Sequence, residues 1–173
     1  MIFMKPLIKP FKDISPRIAM DAFIAENAVV IGDVEIGEQS SIWYNCTLRG
    51  DVNDIKIGKR CNIQDGTVIH VSSTTQGTYL GDDVTVGHMA LLHACTIGDR
   101  AFIGMKACVM DDAVVEADSF VAAGALVTSG KVVKSGQLWG GSSAKYMRDL
   151  TEKELEFLKF SAERYVSLSR KYL

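Results

Sequence analysis

An aliphatic residue recurs every six positions along most of this chain. The series runs Ile24, Val30, Ile36, Ile42, Leu48, then Ile57, Ile63, Ile69, then Leu80, Val86, Leu92. It closes with Ile97, Ile103, Val109, Val115, Val121 and Val127. The position after the aliphatic is often glycine, as at Gly37, Gly58, Gly81, Gly87, Gly98 and Gly104. The position four on is small or β-branched: Ala28, Val34, Ser40, Cys46, Cys61, Thr67, Val84, Ala90, Ala101, Ala107, Ala113, Ser119, Ala125. A period of six fits neither an amphipathic helix nor simple strand alternation. It is the pattern of a parallel β-helix, in which each hexapeptide is a short strand plus a turn and three hexapeptides close one triangular coil. Aliphatics then point inward and stack coil on coil, about 4.8 Å apart. Glycine and the small residues are expected to permit the tight corners.

The rhythm slips in three places. Leu48 to Ile57 holds three extra residues, Ile69 to Leu80 holds five extra, and Leu92 to Ile97 is one short. Departures from a repeat map to loops, often on a binding face, and these flank every histidine. The chain has three histidines, His70, His88 and His93. With the five-residue insertion discounted, Ile69 and Leu92 lie one 18-residue coil apart, so His70 and His93 should share one corner in adjacent coils. Arg49 should sit in the same column, one coil below His70. His88 follows Val86 by two and should stack on Asp65 on another face of the prism, too far away to join His70 and His93 within one chain. Three such prisms around a three-fold axis would bring His88 of one chain to His70 and His93 of the next.

Three imidazoles in that arrangement suit a metal with an open position for water. A zinc-type ion lowers the pKa of such water from 15.7 to about 7. Histidine ligands also suit iron or cobalt. Groups that orient ligands and water are expected nearby, and Gln64, Asp65, Arg49 and Asp51 are the candidates.

After the repeat comes "LTEKELEFLKFSAERYVSLSRKYL". Thr151 with Glu154 forms a capping box, and Leu150 with Leu155 a hydrophobic staple. Leu155, Leu158, Ala162, Tyr165, Leu168 and Tyr172 make one helical face, expected to pack along the prism. The chain is therefore read as one domain: an N-terminal segment 1–23, a β-helix 24–140 and a C-terminal α-helix 150–173.

Composition excludes other classes. A net charge of −2 gives no electrostatic case for nucleic acid. No apolar run reaches the length of a membrane span, and "MIFMKPLIKPFKD" has no secretory core. Cys46, Cys61, Cys95 and Cys108 form no CxxC pair and read as reduced core thiols of a cytoplasmic protein.

The segments "LRGDVNDIKIG", "NIQDGTVIHV", "GHMALLHACTIG" and "WGGSSAKYMRDLT" resemble the γ-class carbonic anhydrases and their close relatives, over nearly the whole chain. That resemblance implies a left-handed β-helix, a homotrimer, and a zinc or iron ion at each subunit interface. It implies His70, His88 and His93 as ligands, and Arg49 paired with Asp65 across subunits. Gln64 would hold metal-bound water or bicarbonate, and Tyr165 would approach the site from the helix. The implied activity is reversible hydration of CO2 to bicarbonate by a metal-bound hydroxide. This chain departs from the archaeal founding type, which has an acidic residue where Val52 stands and a glutamate in the loop occupied here by "VSSTTQGTY". Those acids are associated with proton transfer, so a slow enzyme is implied. Two other readings share the repeat: a hexapeptide acyltransferase or CoA-thioesterase, and a non-catalytic metal-stabilised scaffold or binding protein.

Overall fold

The computed structural model describes residues 5–173. It is a parallel β-helix with one C-terminal helix laid against it. The recurring aliphatics from Val30 to Val127 are all buried, none more than 5% exposed. The small residues four positions on are buried too, none above 2%. Inward aliphatics meet their own kind in neighbouring coils: Ile42 lies over Ile63, Ile63 over Val86, and Val86 over Ile103. The hydrophobic effect acts on this column as a whole, because each coil alone leaves both its faces in water.

The coils have three faces. One stacks the strands Val68–His70, Leu91–His93, Cys108–Val109 and Leu126–Val127. The second stacks Thr78–Leu80, Thr96–Ile97, Val114–Val115 and Val132–Val133. The third runs from Phe23–Ile24 to Gln137–Gly140. The strands Val29–Ile36 and Thr47–Ile57 pass around a corner without a break, so the first two faces are hydrogen-bonded into one continuous sheet.

The β-helix starts earlier than Ile24. Leu7–Lys9 pairs with Val29–Ile31, and Arg17–Ile18 pairs with Glu35–Ile36. The segment read as an N-terminal stretch is thus the first coil from Leu7 onward. Its period is masked because a turn closed by Phe11 and Ile14 adds residues at one corner. That corner is the one where the segments 51–54 and 71–77 are inserted and where the later coil is shortened, so the changes of coil length lie along a single edge.

The turns differ from the expected glycine corners. The left-handed residue stands three positions after the inward aliphatic; it is Gly66, Gly124, Gly130 or Gly136 in four turns and a non-glycine, such as Asn45, Arg60, Asp83, Met89, Arg100 or Asp118, in the others. The glycines after the aliphatics serve close approach instead. A Cβ on Gly87 would lie 2.7 Å from the backbone nitrogen of Met105 in the next coil.

After Gly140 the chain turns back, and Lys145–Asp149 pairs antiparallel with Gln137–Gly140. This leads into the helix Glu152–Ser169. Thr151 caps it as the sequence predicts: its hydroxyl accepts from the Glu154 amide, and its own amide donates to the Glu154 carboxylate. The buried face is centred on Leu158, Ser161, Ala162, Val166 and Ser169. Tyr165 and Leu168 flank it half-buried, and Tyr172, 53% exposed just beyond the helix end, still packs its ring on Phe23 and Trp43 of the prism at 5.4 and 5.3 Å. Ser161, outside the apolar stripe, joins the buried face and meets Thr85 of the third face at 3.0 Å. Among the described residues no helix is long and apolar enough to cross a membrane.

Candidate metal centre

His70 and His93 are paired residues of adjacent coils on the first face. The column below continues through Leu48 and Ile69, which puts Arg49 one coil under His70 as the spacing predicts. The ring nitrogen Nδ1 of His70 stands 3.2 Å from Nε2 of His93. The outer nitrogens are both taken. His70 Nε2 is 3.1 Å from Asp51, and His93 Nδ1 is 2.7 Å from Asp111. Asp51 is in turn gripped by Arg49. Burial pushes the Asp51 carboxyl up, but Arg49 and His70 more than offset it and hold it below the usual carboxylate range.

An ionised carboxylate only accepts hydrogen bonds. Each aspartate therefore takes an N–H of its histidine, and in a neutral ring so held the facing nitrogen is a lone pair. Two lone pairs at 3.2 Å repel unless a cation lies between them. A zinc-sized ion at about 2.0–2.1 Å from each nitrogen would subtend an angle of about 100° between them, close to tetrahedral. The donor set thus fits a divalent metal.

His88 lies at the other edge of the same face, half-exposed, with Nδ1 2.9 Å from Asp65. It repeats the same device: the carboxylate holds one ring nitrogen and leaves Nε2 free. Among the described residues of a single chain, no three His, Cys, Asp or Glu side chains are grouped to hold a metal ion. His70 and His93 come together; His88 stands apart from them, as the coil geometry predicts.

Gln64, His88 and Tyr165 border one cavity of about 620 Å³ between the helix and the third face. Its other walls include Phe102, Phe120 and Phe157. Gln64 is buried, and its amide nitrogen donates to Asn62 at 3.0 Å. Asn62 donates to Thr85, which meets Ser161, so a polar chain ties the Gln64 amide to the helix. Tyr165 packs edge-on against Trp43. Burial raises its phenol above the usual value, with Arg164 opposing and Asp65 adding, so the hydroxyl keeps its proton at neutral pH. Arg49 and Asp65, expected to pair across subunits, each have a partner within the chain, Asp51 and His88.

Asp111 is the residue the sequence reading misses. The one-residue-short step after Leu92 places Val109 opposite Leu92, only 17 positions on. The following corner then carries both Met110 and Asp111 over His93. The short step itself is the signal that could have found it.

Cys46, Cys61 and Cys95 are core thiols as expected, whereas Cys108 is only partly buried. Burial pushes Cys46 and Cys61 up to about 12, and all four cysteines are free.

No family model matches the chain. The chain is 49% identical to γ carbonic anhydrase 2, mitochondrial, of Arabidopsis thaliana, over 91% of this chain and 59% of that protein. The plant relative is thus much longer. A carbonic anhydrase of Geobacillus kaustophilus is 44% identical over 96% of this chain and 91% of its own length. Among solved structures, a hexapeptide transferase family protein of Anaplasma phagocytophilum superposes with a TM-score of 0.93 at 51% identity, covering 96% of this chain and 98% of that one.

Proposed function

The chain belongs to the γ-class carbonic anhydrase family, and we propose that it catalyses the reversible hydration of CO2 to bicarbonate at metal sites shared between the subunits of a homotrimer. The observation that carries this reading is the facing pair His70 Nδ1 and His93 Nε2, each ring anchored from behind by an aspartate. In this reading His70 and His93 of one chain and His88 of a neighbour hold a zinc ion, with iron or cobalt as chemically suitable substitutes. When bound, such an ion supplies Lewis acidity that makes water acidic enough to ionise near neutral pH.

The protein's own groups do the rest. Asp51, Asp65 and Asp111 hold the three rings in their ligating orientation. Gln64, fixed through Asn62, orients CO2 and accepts or donates to bicarbonate. Tyr165, with its proton retained, donates from the helix side of the same cavity. Asp65 and Arg49 keep capacity for a second partner, which allows the cross-subunit pair. The position of Val52 and the loop 71–77 supply no carboxylate, so the proton leaves through water and turnover is slow. The apolar residues Val68, Leu91 and Met89 are exposed around the histidine face of the single chain, and this supports an association that covers them. Free buried thiols are compatible with a reducing, cytoplasmic setting.

A second reading, acyl transfer or CoA-thioester hydrolysis, is favoured by one feature: the aromatic cavity beside Gln64 and His88 has the size and lining for an acyl group. Stopped-flow CO2 hydration on assembled protein of known metal content, beside His93→Ala, separates the readings. Hydration that scales with bound metal and falls to background in His93→Ala is the expected result. Metal-loaded protein without hydration sinks the carbonic anhydrase reading. Turnover of acyl-thioesters would then support the second, and its absence a metal-stabilised scaffold.

A further inference from the structure

We propose that Asp111 is a positioning residue that fixes the tautomer and orientation of His93, so that Nε2 rather than Nδ1 is presented to the metal. The inference rests on the metal reading given above and concerns a residue outside the histidine motifs.

Three observations carry it. Asp111 accepts from His93 Nδ1 at 2.7 Å, and this is the shortest of the three carboxylate–histidine contacts. Its side chain is only 29% exposed and points along the column rather than into solvent. The backbone on both sides of it is pinned: the Asp112 amide donates to Ala94 at 2.7 Å, and the Asp111 carbonyl accepts from Gly130 at 2.9 Å. The corner that presents Asp111 is thus held by the same short coil that holds His93.

The alternative tautomer shows what the contact excludes. With its proton on Nε2, His93 would set an N–H against His70 Nδ1 and close the gap with a hydrogen bond. That pairing satisfies both rings and removes the ligand pair. A carboxylate at Nδ1 makes it unfavourable, because Nδ1 would then face Asp111 lone pair to lone pair. Asp111 therefore keeps the two histidines from satisfying each other. Asp51 does the corresponding work at His70.

The test uses assembled protein carrying Asp111→Ala or Asp111→Asn, with two readouts. The first is zinc affinity by chelator competition. Loss of a group that orients a metal ligand costs about 10–100-fold in affinity, and this is expected for Asp111→Ala. Asparagine keeps one acceptor oxygen, so Asp111→Asn should recover most of the loss. The second readout is the ring-nitrogen NMR spectrum of metal-free, 15N-histidine-labelled protein, with only three histidines to assign. His93 should be protonated at Nδ1 in the wild type and shift towards Nε2 protonation in Asp111→Ala. Wild-type affinity in Asp111→Ala with an unchanged His93 spectrum overturns the proposal. So does an equal loss in both variants, which would make charge rather than the hydrogen bond the cause. A wild type that binds no zinc overturns the metal reading instead, and the His93 spectrum alone then decides for or against Asp111.

Discussion

One corner of the β-helix stacks Arg60 on Asp83 and Arg100 on Asp118; another stacks His70 on His93. Both columns obey the same geometry, a side chain over its counterpart one coil away. The first is self-satisfying. Arg60 meets Asp83 at 2.7 Å, and Arg100 meets Asp118 through two bonds of 2.6 and 2.7 Å. The second leaves like groups face to face, with both aspartates engaged behind the rings. A stacked pair whose partners complete each other holds coils together. A stacked pair whose partners repel, kept so by anchoring carboxylates, is built around something else.

The contrast breaks first if the shared interior is disturbed. Leu92 is fully buried, stacked between Ile69 and Val109, and directly precedes His93. Leu92→Ala should lower the unfolding free energy by about 2–5 kcal/mol through the cavity it leaves, measured by chemical denaturation, and it should loosen the histidine column with it.

Zinc sharpens the difference between the columns. At free zinc 100-fold above the dissociation constant, the native state should gain about 2.7 kcal/mol per site. The gain should persist in Asp118→Ala and vanish in His93→Ala, as read from thermal melts with and without metal. A gain that survives in His93→Ala would place the ion elsewhere.

The smallest effect belongs to the charged column. Asp118→Asn, which removes the charge and keeps a side chain that tolerates the left-handed backbone here, should cost about 0.2–1 kcal/mol, the range of a partly exposed pair. Arg100 holds the Asp118 carboxyl below its usual range. Its contribution is therefore complete above the unfolded carboxyl pKa of about 3.9 and is lost as pH falls through the lower folded value. Melting temperatures of wild type and Asp118→Asn should differ at neutral pH and converge in acid.

Much of the site is legible in the chain because a fixed repeat turns sequence distance into spatial distance. Leu48, Ile69 and Leu92 place Arg49, His70 and His93 in one column once the insertions are discounted. Ile63 and Val86 place Asp65 under His88. Thr151 and Glu154 announce the helix start. The first coil stays hidden, since its extra turn at Phe11–Ile14 blurs the period, while the helix face holds at Leu158, Ala162, Tyr165 and Leu168 and gains Ser161, which only the fold brings to Thr85.

What the sequence determined by itself is the backbone lattice: a six-residue period of buried aliphatics admits one economical stacking, and strand spacing fixes the rise. The direction of the side chains at the corners is set only when the coils are stacked. Asp111 reaches His93 because one coil is a residue short, and the ring nitrogens face each other because carboxylates from the coils above and below claim the opposite sides. Which aliphatics are buried follows from the six-residue period and can be read along the chain. Hydrogen-bond partnership depends on which groups of different coils meet, and that exists only once the coils are stacked.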